Sequence, residues 1–85
     1  MDIERILKEI IIVCREDICR ENINTSTNLI LDLGFDSVDI IQLVCEIENT
    51  FSIEIDDENL EVEKIGNFSE LCKIIMYEWR KKYDN

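Results

Sequence analysis

Apolar residues recur at the spacing of an α-helix in three separate stretches of this chain, and that pattern constrains its fold most strongly. The spacing predicts helices over residues 2–16, 37–50 and 69–82, with a short third helix from residue 57 to 61 or 62. Proline is absent, so nothing interrupts these patterns. One face of the first helix carries Ile3, Ile6, Leu7, Ile10 and Cys14, and one face of the last carries Phe68, Leu71, Cys72, Ile75 and Trp79.

The segments between these helices predict loops rather than strands. Residues 51–55 alternate like a strand, but no other stretch offers a partner strand, so we expect an extended loop that buries Ile53 or Ile55. Asp2 and Ser69 are the predicted N-caps of the first and last helices. The long first loop, residues 22–36, is expected to be pinned over the core by its apolar residues, Leu29, Ile30, Leu33 and Phe35. The predicted fold is therefore all-α: residues 1–85 form one domain, a small four-helix bundle with a long first loop and a short third helix.

The size of the chain and its lack of histidine argue against an enzyme. An 85-residue domain buries a thin core and leaves little room for an enclosed active site. Without histidine, the chain contains neither a Ser–His nor a Cys–His nucleophile pair. We therefore predict a binding or carrier module with no catalytic residues of its own.

The four cysteines do not form a recognisable metal or redox motif. Cys14, Cys19, Cys45 and Cys72 include no C-x-x-C pair, and the favoured interpretation is small apolar residues in a reducing compartment. Two disulfides remain an alternative. The N-terminus has no basic region followed by a long apolar run, and the longest apolar run, residues 10–14, is too short for a membrane span. We therefore expect a cytoplasmic protein.

The acidic residues are concentrated in the middle of the chain. Residues 21–63 contain twelve Asp and Glu and no Lys or Arg, which gives that segment a charge of −12 within a total of −11. The remaining residues, nine basic and eight acidic, sum to +1. This distribution disfavours nucleic-acid binding and favours a partner with a basic surface. Ordinary solubility is the alternative explanation.

The second predicted helix has apolar residues on two opposite sides. At about 100° per residue, one stripe carries Ile40, Leu43, Val44, Ile47 and Phe51. The opposite stripe carries Val38, Ile41 and Cys45, flanked by the uncharged Gln42 and Asn49 and rimmed by Asp36, Asp39, Glu46 and Glu48. A helix of a small bundle buries one stripe, so the other is expected to be an exposed interaction surface. The alternative is that the first loop folds over it.

A seven-residue motif opens this helix: Leu33-Gly34-Phe35-Asp36-Ser37-Val38-Asp39. Gly34 permits a tight turn, and Asp36 and Asp39 have the spacing of a capping box. Ser37 then lies at the positive end of the helix dipole, where the negative charge of a phosphate would be stabilised. Taken alone, the pattern indicates only that Ser37 could carry a phosphate, and composition alone favours an ordinary N-terminal serine.

This motif resembles the phosphopantetheine-attachment motif of acyl carrier proteins, whose core is an Asp-Ser-Leu run after Leu-Gly. The similarity extends over the whole chain, in the length of the first loop, the charge and the helix order. The resemblance implies that Ser37 receives 4'-phosphopantetheine from coenzyme A through a magnesium-dependent phosphopantetheinyl transferase. It further implies that Asp36, Val38 and Asp39 help that enzyme to recognise the site, and that the protein is a monomer.

The resemblance also assigns roles to residues along the second helix and beyond it. The positions that would contact partner enzymes are Val38, Ile41, Gln42, Cys45, Glu46 and Glu48. Ile55 and Ile65 resemble residues that border the acyl-chain pocket of some members. The implied partners are the transferase and acyl-loading and acyl-processing enzymes with basic docking surfaces, in fatty-acid, polyketide or nonribosomal peptide synthesis.

Three departures from the family pattern leave the pathway open. Val38 replaces the usual leucine, Gln42 and Asn49 stand where acids are common, and residues 58–63 are one residue longer than in typical fatty-acid carriers. The last feature looks more like carriers of specialised pathways. Two rivals remain: an acidic helical interaction module without an arm, and a calcium-binding protein, although the EF-hand spacing is absent.

Overall fold

The computed structural model describes residues 2–56, 61 and 65–83. It contains three α-helices, α1 (Ile3–Cys14), α2 (Ser37–Phe51) and α3 (Phe68–Tyr83), and a 3₁₀ turn at Arg20–Asn22. Within the described residues there is no strand, so the all-α prediction is confirmed. The predicted short helix over residues 57–62 lies outside the described residues except for residue 61, and the four-helix bundle stays a prediction.

α1 begins and ends through local backbone interactions. The side chain of Asp2 accepts a hydrogen bond from the Arg5 amide at 3.1 Å, which confirms the predicted cap. The helix ends at Cys14, two residues earlier than predicted, because Arg15 adopts an extended conformation. The buried positions of α1 are Ile3, Leu7, Ile10 and Ile11, whereas Ile6 and Cys14 of the predicted face are half-buried.

α2 places one stripe of apolar residues in the core. This inner face consists of Ile40, Leu43, Ile47 and Phe51. Val44, predicted on the same stripe, is half-buried. The helix ends in the left-handed conformation of Ser52, and both Ile53 and Ile55 of the following extended segment are buried.

α3 starts one residue earlier than its predicted cap. Ser69 was the predicted N-cap, but this is wrong: the Asn67 side chain accepts a hydrogen bond from the Glu70 amide at 3.0 Å. Phe68 is fully buried and already helical, so the cap moves to the residue before it. The buried positions are Phe68, Leu71, Ile74, Ile75 and Glu78, while Cys72 and Trp79 are half-buried.

The long first loop is pinned over the core, as predicted. Leu29 and Phe35 are buried, and Ile30 and Leu33 pack partly against the core. An isolated antiparallel bridge between Asn28 and Asn67 connects the loop to the start of α3. Its two hydrogen bonds run from the Leu29 amide to the Gly66 carbonyl (2.6 Å) and from the Phe68 amide to the Thr27 carbonyl (3.0 Å). The loop therefore has a defined path up to the start of α2.

Two further predictions concern the cysteines and membrane spans. All four cysteines are free; Cys14 and Cys72 are half-buried, whereas Cys19 and Cys45 are exposed. The alternative of two disulfides is thus wrong. The interpretation as interior apolar residues suits Cys14 and Cys72 better than the exposed Cys19 and Cys45. Among the described residues, no helix combines the length and apolar character needed to cross a bilayer.

Candidate functional site at the start of α2

Ser37 is the first residue of α2, and a capping box fixes the turn that precedes it. The Asp36 carboxylate accepts a hydrogen bond from the Asp39 amide at 2.9 Å, and the Asp39 carboxylate accepts one from the Asp36 amide at 3.1 Å. Each aspartate therefore satisfies a backbone N–H group of the other. The sequence prediction of this box is confirmed.

Gly34 makes the turn possible through its backbone conformation. Its φ is 73°, in the left-handed region that side chains disfavour, although a Cβ there would meet no atom within 4 Å. The Gly34 amide donates to the Ile30 carbonyl at 3.2 Å. The glycine is thus required by backbone geometry rather than by close packing.

A residue outside the motif, Arg15, holds this turn from the side. Its Nη1 donates to the Asp39 carboxylate at 3.1 Å and to the Gly34 carbonyl at 3.4 Å. Its Nε and Nη2 bind both carboxylate oxygens of Asp17 at 3.1 Å each, and its guanidinium carbon lies 5.5 Å from the centre of the Phe35 ring. These hydrogen bonds, led by the one to Asp17, raise the pKa of Arg15. One side chain therefore joins the end of α1 to the start of α2.

The sequence predictions missed Arg15, although the charge pattern contains a signal for it. Residues 21–63 carry no basic side chain, so any cation that touches the motif has to come from elsewhere in the chain. Because α1 ends at Cys14 and packs beside α2, Arg15 is in position to supply that cation. Distance along the sequence hides this contact, which joins residues 24 positions apart.

The surroundings of Ser37 suit a phosphodiester. Ser37 is exposed, and among the described residues no acceptor is found for the amides of Ser37 and Val38. Free N–H groups at a helix N-terminus receive anions, and the helix dipole adds to the attraction. The residues present therefore fit a phosphate bound to the serine oxygen.

The second apolar stripe of α2 is open to solvent. This outer face consists of Val38, Ile41 and Cys45; Val38 is 69% exposed and Ile41 is 64% exposed. Gln42 and Asn49 beside it are also exposed. The prediction of exposure is confirmed, and the alternative that the first loop covers this stripe is wrong.

The acidic residues predicted to rim this face have structural contacts of their own. Asp39 is bound to Arg15, and the Glu48 carboxylate accepts a hydrogen bond from the Ile55 amide at 3.0 Å. Glu46 is half-buried and, after the larger effect of burial, contributes to the raised pKa of the Cys14 thiol. Asp39 and Glu48 are therefore each held by a hydrogen bond within the fold.

A small apolar cavity opens beside the outer face. It has a volume of about 170 Å³ and is lined by Ile40, Ile41, Val44, Cys45 and Ile65. Ile65, one of the two predicted border residues, therefore lines this cavity. Ile41 and Cys45, which belong to the outer face, line it as well. Ile55, the second, is buried in the core and is not among the lining residues.

Among the described residues, no group of three His, Cys, Asp or Glu side chains converges as a metal site would require. The carboxylates at the start of α2 are instead paired with backbone amides and with Arg15.

Comparison with known proteins gives matches that include the whole of segment 33–39. A family model described as a phosphopantetheine attachment site matches residues 5–75. An acyl carrier protein from Buchnera aphidicola subsp. Acyrthosiphon pisum (strain Tuc7) is 38% identical over 81 residues, covering 95% of this chain and 98% of that protein. One from Chloroherpeton thalassium is 38% identical over 66 residues, covering 78% and 80%. A third, from Wolinella succinogenes, is 38% identical over 55 residues, covering 65% and 70%.

Proposed function

Because the chain belongs to the phosphopantetheine-binding family of acyl carrier proteins, we propose that it carries thioester-bound acyl intermediates on an arm attached to Ser37. Members of this family are carriers rather than enzymes, and their prosthetic group is 4'-phosphopantetheine. That group supplies a terminal thiol on which acyl groups are held as thioesters. The chain itself supplies the attachment point, the docking surface and the shelter.

The observation that best supports Ser37 as the attachment point is its placement. It is an exposed hydroxyl on the first residue of a capped helix, with neighbouring amides available for a phosphate. In the transfer, the serine oxygen forms a bond to the β-phosphorus of coenzyme A while the bond to the α,β-bridging oxygen breaks, and 3',5'-adenosine diphosphate leaves. The serine proton passes to a base of the transferase, while Asp36 and Asp39 hold the turn around Ser37 through the capping box.

The outer face of α2 supports docking of the transferase and of acyl-processing enzymes. Exposed apolar groups beside an acidic rim fit partners that present an apolar contact surrounded by basic residues. Val38, Ile41 and Cys45 would supply the apolar contact, and Gln42, Glu46 and Glu48 the polar edge. Asp36 and Asp39 would act mainly by holding Ser37 in place for the transferase.

The cavity beside the outer face supports partial sheltering of the cargo. Its lining is apolar, and Ile41 and Cys45 connect it to the surface on which the arm would lie. We propose that Ile65 borders the acyl chain there, whereas Ile55 is buried in the core. The relatives are named for acyl cargo, which favours fatty-acid or polyketide intermediates over aminoacyl ones for this chain.

The test is modification in vitro with coenzyme A, magnesium and several transferases of broad specificity, followed by intact-mass measurement. Addition of one phosphopantetheine is expected, and Ser37→Ala should abolish it while the melting temperature stays unchanged. Ser26→Ala is the matched control, because Ser26 is exposed in the first loop but lies outside the motif. An unmodified wild-type chain would favour the interaction module without an arm.

A further inference from the structure

We propose that Arg15 is a positioning residue for the transfer to Ser37: it holds the capping box and the glycine turn together, so that the serine hydroxyl is presented in one orientation. This inference rests on the proposed function. It assigns to the end of α1 a role in modification that motif residues alone do not supply.

The first support is where the hydrogen bonds of Arg15 end. Its Nη1 reaches the Asp39 carboxylate, whose Oδ2 atom also accepts the Asp36 amide of the capping box. The same Nη1 reaches the Gly34 carbonyl, on the other side of Ser37 along the chain. Arg15 therefore contacts the motif both before and after the serine.

The second support is that Arg15 is itself held in place. Asp17 binds the Nε and Nη2 atoms in a two-point contact, and Phe35, which is buried, lies under the guanidinium group. The Arg15 and Asp39 side chains are only 26% and 24% exposed. A planar guanidinium can serve several acceptors at once in this way, whereas a lysine ammonium lacks the fixed fork.

Positioning and charge have opposite consequences for the transferase, which makes the role testable. Removing a cation makes the acidic surface more negative, so a basic partner should bind it equally well or better. Loosening the serine, by contrast, reduces the fraction of encounters in which its oxygen is aligned for reaction. A positioning role therefore lowers the kcat of the transferase without raising KM for this chain.

The experiment compares Arg15→Gln with Arg20→Gln as substrates of the transferase at a temperature where both are folded. Arg20 is a matched control, because it pairs with Glu9 and its substitution changes the net charge equally. For Arg15→Gln we expect kcat to fall about tenfold with KM unchanged or lower. Arg15→Lys keeps the charge but not the fork, so it should recover only part of kcat, whereas Arg20→Gln should keep all of it.

Amide hydrogen exchange gives a second measurement that needs no transferase. The Asp36 amide, which donates to the Asp39 carboxylate, should exchange about fivefold faster in Arg15→Gln and at the wild-type rate in Arg20→Gln. If Arg15→Gln matches Arg20→Gln in both kcat and exchange, the positioning role is overturned and the proposed function stands. If no transferase modifies the wild-type chain, the proposed function fails and this inference fails with it.

Discussion

The inner and outer faces of α2 are built from the same kinds of residue but meet different surroundings. Ile40 and Ile47 on the inner face are 8% and 0% exposed, whereas Ile41, the residue next to Ile40, is 64% exposed. Folding accounts for the first face, since its burial removes apolar surface from water. The second face contributes little to folding, so its apolar character is better explained by a partner.

The largest expected difference between the two faces is in how much stability each loses when a charged residue replaces an isoleucine. Ile47→Asp places an unpaired carboxylate in the core and should cost about 3–5 kcal/mol, enough to unfold a small domain. Ile41→Asp should change the free energy of unfolding by less than about 0.5 kcal/mol but slow modification by the transferase about tenfold. Urea unfolding and transfer kinetics on both variants measure this. Equal destabilisation by the two would mean that the outer face is packed.

Thiol reactivity sharpens the same comparison without changing the sequence. Burial raises the pKa of the Cys72 thiol from 9.0 to about 11, while Cys45 on the outer face is exposed. Below pH 9 the native Cys72 should therefore hold about a hundredfold less thiolate than it does in the unfolded chain. Alkylation at pH 8 should label the exposed Cys19 and Cys45 before Cys72, and unfolding in urea should abolish the delay at Cys72. Mass mapping of labelled peptides would reveal the order, and early native labelling of Cys72 would contradict it.

The same shift makes stability depend on pH. Since the folded chain retains the Cys72 proton up to about pH 11 and the unfolded chain releases it near 9.0, the folded state binds more protons between these values. Stability from this group is complete below pH 9 and falls as the pH rises towards 11. Urea titrations at pH 8 and pH 10 on the wild type and Cys72→Ser should display a smaller loss in the variant. Equal losses of stability in the wild type and the variant would exclude Cys72 as a source of the pH dependence.

Substitution of Glu48 examines whether the acidic rim stabilises the fold or serves only to bind a partner. Glu48 was predicted as a partner contact, but its carboxylate also holds the Ile55 amide. Glu48→Lys should therefore cost about 1 kcal/mol of stability in addition to any effect on docking. Glu48→Gln, which keeps an acceptor for the amide, should lose less. Thermal unfolding of the two variants decides the point, and no loss in Glu48→Lys would make the rim purely a surface feature.

The smallest expected effect comes from changing the charge of an exposed residue beside the outer face. Gln42 is exposed, and among the described residues its side chain has no hydrogen-bond partner. Gln42→Glu should speed association with a basic partner a few-fold and Gln42→Lys should slow it, with unchanged stability. Stopped-flow binding at several salt concentrations would detect this. Association rates that change with neither the substitution nor the salt concentration would indicate that the acidic segment serves solubility rather than partner binding.

Sequence reasoning succeeded where the determining interactions are local. The capping box joins residues three positions apart, and the two stripes of α2 follow from helical periodicity alone. The cap of α3 was misplaced because it depends on whether Phe68 is helical, which its burial in the core decides. Arg15 was missed because its partner lies 24 positions away. Contacts between elements therefore account for most of what the sequence did not predict.

Burial of a charged residue is another property that only the assembled fold reveals. Glu78 is 4% exposed, and its Oε1 atom pairs with Lys81 at 3.3 Å. Within the described residues its Oε2 atom is buried and has no hydrogen-bond partner. Periodicity in the sequence places Glu78 near the apolar stripe of α3 but gives no reason to bury a carboxylate there.

The antiparallel bridge between Asn28 and Asn67 affects the order in which the chain folds. It joins residues 39 positions apart, so closing the intervening loop costs about 3 kcal/mol of chain entropy, which the contacts of α3 must offset. During synthesis α1 and α2 emerge first, but the loop that leads to Gly34 gains its last backbone hydrogen bonds only after residues 66–68 have emerged. We therefore expect the proposed modification of Ser37 to follow formation of this bridge rather than to precede it.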